Sequence, residues 1–118
     1  MNEILHLELE GLPPTVNMMY RGLHGHRYKT KDTLIYQSDV VSRLREVYGE
    51  CPPLEGRVGL FIIFTTSSRR RWDIDNRVKA LQDCLAPAGV IHDDTQVDLL
   101  HVERVHGDFN LTEVDYMS

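Results

Sequence analysis

The residues of this sequence best suited to chemistry are aspartates, which come in two closely spaced pairs. Asp73 and Asp75 stand two positions apart, and Asp93 and Asp94 are adjacent further along the chain. If the chain is still extended at residue 73, the side chains of Asp73 and Asp75 project to the same side. A helix that starts at Asp75 carries Lys79 on the same face one turn later. The return of the chain after this helix can bring Asp94 back beside the first pair.

Three or four carboxylates at one point repel one another strongly unless a cation lies among them. Hard oxygen ligands of this kind suit Mg²⁺ or Mn²⁺. Such an ion polarises a phosphodiester and lowers the pKa of an attacking water, while Lys79 neutralises charge on the phosphate or positions the water. The pattern therefore predicts metal-assisted phosphodiester hydrolysis.

A structural interpretation of the same aspartates stays open at this point. Asp at the start of a helix commonly caps it and complements the helix dipole, and Asp93 with Asp94 would then form an ordinary acidic turn. For Asp73 and Asp75 alone, this interpretation is the better one. The complete set, with basic residues before it and Lys79 one turn after it, favours the metal site.

Positive charge is grouped in two segments, although the chain carries a formal net charge of −5. Arg69, Arg70 and Arg71 directly precede the first acidic pair and are predicted to contact neighbouring phosphates. A second basic segment spans residues 21–31. The net charge argues against a nonspecific nucleic-acid binder, whereas separate basic and acidic groups suit a nuclease.

Hydrophobic periodicity and turn residues predict the elements that position these side chains. We expect strands over residues 4–10, 58–64, 97–105 and 111–116, and helices from Asp32 or Thr33 to about residue 48 and over residues 75–86. Residues 15–31 and 65–73 are predicted as loops, residues 90–96 as a short acidic connection, and Gly107 with Asp108 as a hairpin turn. The helix faces predicted to be buried carry Leu34, Val41, Leu44 and Tyr48 in the first helix, and Val78, Leu81 and Leu85 in the second.

These elements predict an α/β (α+β) fold over residues 1–118, a single small domain in which two main helices pack on a mixed sheet of about four strands. A length of 118 residues leaves no room for a separate cofactor domain, and an apolar fraction of 42% argues against disorder. Cys51 and Cys84 match no metal spacing, and two ordinary thiols are favoured over a single disulfide. Because no leader pattern or membrane span is recognised, we expect a cytoplasmic protein that has no membrane partner and no small-molecule cofactor.

Three segments of the sequence resemble, in the right order, the RusA family of endodeoxyribonucleases. Residues 70–76 (RRWDIDN) with Lys79 are similar to the pattern R-R-D-x-D-N-x-x-K, and residues 89–97 (GVIHDDTQV) to G-x-[ILVF]-x-D-D-x-[QL]-[VI]. Residues 12–21 (LPPTVNMMYR) are similar to the opening P-P-[ST]-x-N-x-x-[YW]-R. Trp72 departs from the pattern because it separates the arginines from Asp73, and packing is the favoured interpretation of its role.

The resemblance implies a RusA-like fold and a homodimeric, Mg²⁺-dependent nuclease, with Mn²⁺ able to substitute. Such an enzyme resolves four-way DNA junctions by paired symmetric nicks in recombination and repair, and a C2 dimer presents two sites related by the axis of the junction. The implied catalytic residues are Asp73, Asp75, Asp94 and Lys79, and the implied metal ligands are Asp73, Asp75, Asp94 and Asp93. The implied DNA contacts are Arg69, Arg70, Arg71, Asn17, Tyr20, Arg21 and Asn76. A bacterial cell is the implied setting, with a phage, prophage or chromosomal origin left open.

Two other functions stay open. A nuclease acting on flaps or other branched DNA would use the same residues, and cleavage of junction against flap DNA would discriminate it. A non-catalytic DNA- or protein-binding module would use the aspartates only as helix caps, and unchanged cleavage after Asp73→Asn would favour it.

Overall fold

The computed structural model of this chain describes residues 1–23 and 25–118; His24, within the predicted loop over residues 15–31, lies outside the described residues. The strands are β1 (Glu3–Glu10), β2 (Tyr20–Leu23), β3 (His26–Lys29), β4 (Val58–Thr66), β5 (Val97–His106) and β6 (Leu111–Met117). The α-helices are α1 (Val16–Met19), α2 (Lys31–Tyr48) and α3 (Val78–Gln82), and 3-10 turns cover Ile74–Arg77 and Asp94–Gln96.

Four strands form one mixed sheet in the order β1-β6-β4-β5, and the short strands β2 and β3 form a separate hairpin. Strand β4 is parallel to β5 and antiparallel to β6, and β6 is antiparallel to β1. The predicted α+β fold with a mixed four-stranded sheet is therefore confirmed. The nearly continuous apolar sequence of β4 fits its place between two neighbouring strands.

The predicted hairpin at Gly107 and Asp108 is wrong. Strands β5 and β6 follow each other in sequence, yet they lie on opposite sides of β4. The segment between them crosses the end of β4, where Gly107 N donates to Thr66 O (3.0 Å) and Ser67 N donates to Asn110 Oδ1 (2.9 Å). In the observed order, the apolar strand β4 forms backbone hydrogen bonds with a neighbouring strand on each of its edges. If β5 and β6 formed a simple hairpin, one edge of β4 would have no such partner.

Helix α2 begins slightly before the predicted start. Its N-cap is Thr30, whose Oγ1 accepts from Thr33 N at 3.4 Å, rather than Asp32 or Thr33. The predicted stop at Gly49 is confirmed, because Gly49 has a positive φ of 70° and its N–H donates to Arg45 O.

The predicted inward face of α2 is confirmed at Leu44, with Val41 and Tyr48 partly buried against the core, and wrong at Leu34. The buried residues are Thr33, Gln37, Val40 and Leu44, whereas Leu34 is 54% exposed. Gln37 can be buried because its amide is satisfied: its Nε2 donates to Ala80 O at 3.2 Å, and its Oε1 accepts from Lys29 Nζ at 2.7 Å. Hydrogen bonds from other elements thus let Gln37 lie on the face that packs inward, whereas Thr33 is satisfied locally by Thr30.

The segment predicted as a loop over residues 15–31 contains regular structure, so that prediction is wrong. Helix α1 leads into the β2–β3 hairpin, in which Tyr20 pairs with Lys29 and Arg21 with Tyr28. Most of the described side chains of this hairpin are exposed, and the Arg27 guanidinium lies over the Tyr20 ring at 4.6 Å. A hairpin without a well-buried face has no apolar periodicity, which is the signal on which the prediction relied.

The second predicted helix is shorter than residues 75–86. A 3-10 turn precedes α3, and after Gln82 the chain continues in tight turns in which Cys84 N donates to Leu81 O and Leu85 N donates to Gln82 O. The predicted inward face is nevertheless confirmed, since Val78, Leu81 and Leu85 are buried.

Helices α2 and α3 cover one face of the four-stranded sheet. The core contains Leu5, Leu7 and Leu9 of β1, Leu60, Ile62 and Phe64 of β4, Val114 and Tyr116 of β6, and the inward residues of both helices. No helix in the described ranges is long and apolar enough to cross a bilayer.

Candidate active site

The two acidic segments meet beside the start of β5. Asp75 in the first 3-10 turn, Lys79 on α3 and Asp94 in the second 3-10 turn line a pocket of about 330 Å³, together with Asp83. Val78, Gln82 and Leu100 complete its wall. Three of the four residues predicted as catalytic therefore lie at one pocket, although they are separated in sequence.

Asp73 stands just outside this group. It is exposed, has an extended backbone (φ −77°, ψ 129°) immediately before the 3-10 turn, and does not line the pocket. Its carbonyl accepts from Asn76 N at 3.1 Å, whereas its side chain makes no capping hydrogen bond. The Asp73 carboxylate therefore does not cap the 3-10 turn.

The second acidic pair is held by Gln96. Gln96 Oε1 accepts from His92 N at 2.7 Å and from Asp93 N at 3.1 Å, and its Nε2 donates to Leu54 O and Gly56 O at 2.9 Å each. This single amide ties the loop that carries Asp94 to the turn before β4. Sequence reasoning included Gln96 in the family pattern but assigned it no role.

Asp93 and Asp94 have different surroundings. Asp93 Oδ2 accepts from Thr95 Oγ1 at 2.8 Å, so one of its oxygens is engaged within the turn. The pKa of Asp94 is raised by partial burial, and further by the negative charges of Asp83 and Asp93, while Lys79 opposes the shift. The pair therefore combines a largely structural carboxylate with one that faces the pocket.

Asp83 is a pocket residue that sequence reasoning missed. Its carboxylate lies 3.3 Å from Lys79 Nζ, and its side chain is only 17% exposed. The available signal was the four-residue spacing from Lys79, which places two side chains on the same side of a helix.

The donor set of the pocket suits a hard divalent cation. Asp75, Asp83 and Asp94 offer only carboxylate oxygens. The pKa of Asp94 is raised first by burial and then by the charges of Asp83 and Asp93, and a cation in the pocket would relieve the second of these effects. Within residues 1–23 and 25–118, the sets of three ligand atoms within 4.8 Å of one another surround His6 and include none of these aspartates. Binding of a cation in the pocket therefore requires the carboxylates to rotate inward.

The basic triplet is exposed on the loop between β4 and the first 3-10 turn. Arg69, Arg70 and Arg71 all reach solvent, and Arg69 borders an open groove at the crossing segment near Gly107. Their exposure leaves the guanidinium groups accessible to phosphates of a bound strand.

Trp72 packs against the protein rather than standing free. It is half-buried, its ring meets the edge of Phe64 at a centroid distance of 5.8 Å, and the guanidinium groups of Arg77 and Arg104 lie over it at 4.9 and 5.0 Å. Arg104 Nη1 also donates to Trp72 O. Trp72 therefore fixes the loop between the arginines and Asp73 against the sheet.

The N-terminal segment approaches the acidic site through Arg77. Arg77 Nη1 donates to Pro13 O at 2.6 Å, which joins the end of the first 3-10 turn to the segment before α1. Asn17 and Arg21 are exposed and border a second pocket, of about 450 Å³. Tyr20 and Asn76 are half-buried.

Comparisons with known proteins find the same family in each case. The model of the family described as endodeoxyribonuclease RusA matches residues 10–115 of the chain. The crossover junction endodeoxyribonuclease rusA of Enterobacteria phage HK97 is 30% identical over 92 residues, which cover 78% of this chain and 76% of that protein. The crossover junction endodeoxyribonuclease RusA of Aquifex aeolicus (strain VF5) is 32% identical over 104 residues, which cover 86% of this chain and 81% of that protein.

Proposed function

Since this chain belongs to the endodeoxyribonuclease RusA family, we propose that it is a metal-dependent endonuclease that resolves four-way DNA junctions by paired symmetric nicks. The observation that carries the proposal is the meeting of Asp75, Asp94 and Lys79 in one pocket beside the start of β5. The proposal treats residues 1–118 as one endonuclease domain that acts in the cytoplasm of a bacterial cell.

The proposed catalytic residues are Asp73, Asp75, Asp94 and Lys79. Mg²⁺, with Mn²⁺ as a substitute, would be held by the three aspartates with help from Asp93, and it would polarise the phosphodiester and activate water. Lys79 places its positive charge at the wall of the pocket, where it would meet the phosphate. The carboxylates on the rest of the pocket wall favour a bound cation.

DNA contacts are proposed on both sides of the pocket. Arg69, Arg70 and Arg71 would hold phosphates next to the scissile bond, with bidentate geometry available to each guanidinium. On the other side, the contacts would come from the N-terminal segment and the first 3-10 turn, through Asn17, Tyr20, Arg21 and Asn76. The acidic net charge of −5 makes this local grouping necessary, because the chain as a whole does not attract a polyanion.

A homodimer is part of the proposal. Resolution of a four-way junction requires two cuts related by a two-fold axis, and a C2 dimer carries two identical sites in that relation. One pocket per chain leaves a monomer able to make only one nick per binding event.

The test is cleavage of a labelled synthetic four-way junction, a flap and a matched linear duplex with Mg²⁺, Mn²⁺ or EDTA. We expect paired nicks in the junction, dependence on metal, and loss of cleavage in Asp75→Asn. Asp39→Asn, an exposed aspartate of α2, is the matched control and should cut normally. Equal cutting of the flap would support the broader branched-DNA nuclease, and no cutting by folded protein with either metal would contradict the proposal.

A further inference from the structure

Strand β5 forms an edge of the sheet, and none of its residues is fully buried. Nine of its ten residues pair with β4 on one side, Asp98 lying at a register shift, and in the described ranges no strand pairs with the other side. Only Val97 and Val102 are partly buried, while Leu99, Leu100 and Val105 are 39%, 45% and 46% exposed. A long edge of this kind, with unpaired backbone groups and no proline, is a template for another strand.

The opposite edge of the sheet differs in character. Strand β1 buries Leu5, Leu7 and Leu9 and exposes His6, Glu8 and Glu10 between them. Charged side chains along an edge disfavour pairing with a second chain. Of the two edge strands, β5 exposes three large apolar side chains, whereas β1 exposes one, Ile4.

The sequence of β5 is complementary to itself when it is reversed about Val102. A two-fold axis perpendicular to the sheet keeps the same face of both copies together, so antiparallel strands pair residues symmetrically about the axis. Centred on Val102, this operation sets His101 opposite Glu103 of the second copy and Leu99 opposite Val105 of the second copy. At the strand ends, Asp98 meets His106.

Two neighbouring registers also keep the same face of both copies on one side of the joined sheet, and both are less favourable. A register centred on Glu103 places two identical carboxylates opposite each other, which is destabilising. A register centred on His101 sets Leu99 against Glu103 of the second copy. In the Val102 register the remaining pair, Leu100 with Arg104, lets arginine methylenes cover the leucine side chain.

We propose that β5 pairs antiparallel with β5 of a second copy of this chain, centred on Val102, and forms one continuous sheet of eight strands. The inference rests on the homodimer of the proposed function and names the surface that makes it. Because the axis is perpendicular to the sheet, both pockets beside Asp94 open on the helix-covered side of the joined sheet. A single branched DNA molecule can then contact both from one side.

A charge exchange at the interface tests this pairing. His101 and Glu103 are exposed, with side chains 55% and 54% accessible, and they lie 3.1 Å apart within one chain, where each also faces the second copy in this register; substitutions there leave the core intact. His101→Glu sets like charges opposite each other twice and should raise the dimer dissociation constant about tenfold or more. The double variant His101→Glu with Glu103→Arg places opposite charges at the same positions and should restore dimerisation. Sedimentation velocity over a concentration series, without DNA or metal, measures both.

The control is His26→Glu, which makes the same substitution at an exposed histidine of β3 and should leave the dissociation constant unchanged. A monomeric parent protein at high concentration, an unchanged dimer in His101→Glu, or no recovery in the double variant would each overturn the β5 pairing. Junction cleavage by a protein whose dimer ignores these changes would leave the proposed function standing and reject only this interface. A β5-dependent dimer that cuts no DNA would reject the proposed function instead.

Discussion

Lys79 Nζ lies 3.3 Å from both carboxylate oxygens of Asp83, one helical turn further along the chain. The contact holds the ammonium group at the wall of the pocket that Asp75 and Asp94 also line. It also balances part of the negative charge that raises the pKa of Asp94. The lysine that is proposed to meet the phosphate is thus oriented by a carboxylate.

Replacing this carboxylate should slow cleavage without preventing folding. In Asp83→Asn, Lys79 loses its charged partner, and we expect junction cleavage to fall by about ten- to a hundredfold, the range typical for partners that orient ligands and charges at metal sites. Single-turnover rates over a Mg²⁺ series measure the change and separate metal binding from the chemical step. Asp39→Asn is the control, and an unchanged rate and metal dependence in Asp83→Asn would contradict the positioning role.

Removal of the Asp94 charge should have opposite effects on activity and stability. The folded state raises the pKa of Asp94 through burial and neighbouring carboxylates, so at neutral pH the ionised side chain destabilises the fold. We expect Asp94→Asn to lose cleavage by about a hundredfold or more, yet to melt at the same or a higher temperature without metal. Calorimetry with EDTA measures the second effect, and a clearly lower Tm would show that the Asp94 carboxylate is structural.

The amide of Gln96 should be necessary for the loop that carries Asp94. Gln96→Ala removes four hydrogen bonds to backbone groups on two segments, and we expect a loss of about 2–4 kcal/mol in unfolding free energy. Urea denaturation measures this loss, with the exposed α2 substitution Ser38→Ala as control. If the urea midpoint of Gln96→Ala matches that of the control, the loop is held by other contacts.

The two cysteines should differ in reactivity. Cys51 is exposed, whereas Cys84 is buried and its pKa is raised to about 12 by burial. We expect a thiol reagent at pH 8 to modify one thiol per native chain and both in urea, because only unfolding exposes the second. A Cys51→Ser variant should not react while folded; reaction of this variant at the parent rate would place Cys84 at the surface.

The pair formed by His6 and Asp115 should make stability depend on pH. A hydrogen bond with the Asp115 carboxylate raises the pKa of His6 above its usual 6.5. The contribution of this pair to the free energy of unfolding is therefore fully present below about pH 6.5, and it is lost as the pH rises through the higher pKa that His6 has in the folded state. Because the pair is partly exposed, we expect a change of about 1 kcal/mol or less.

Urea midpoints from pH 5.5 to 8.5 test this sign, with His6→Gln against His26→Gln. The decline in stability with rising pH should be smaller in His6→Gln and unchanged in His26→Gln. A steeper decline in His6→Gln would reverse the assigned direction.

The sequence alone indicated the class of the fold and three residues of the pocket, Asp75, Lys79 and Asp94. Alternation in β1 and the apolar run of β4 are local patterns, and they indicated strands that the structure contains. The spacing of Asp75 and Lys79, with Asp94 where the chain returns, indicated a shared location because a short helical segment reverses the chain between them. Such inferences hold because they depend on neighbours in sequence.

Tertiary structure decided the features that depend on distant partners. The position of β4 between β5 and β6 depends on which strands pair with each other. The turn residues Gly107 and Asp108 are compatible with either strand order. The inward position of Gln37 depends on hydrogen bonds from Lys29 and to Ala80. Hydrophobic periodicity does not reveal these contacts, since each joins residues of different elements, eight positions apart for Lys29 and 43 for Ala80.

The same division holds within the pocket. Asp75, Lys79 and Asp94 could be selected from residue type and spacing, but Asp83 and Gln96 could not be given roles from the sequence. An aspartate near the end of a helix and a glutamine in a turn have ordinary solvent-facing uses in most proteins. Only the fold brings Asp83 against the pocket and sets the Gln96 amide between two backbone segments, because burial and hydrogen-bond partners are properties of the packed chain.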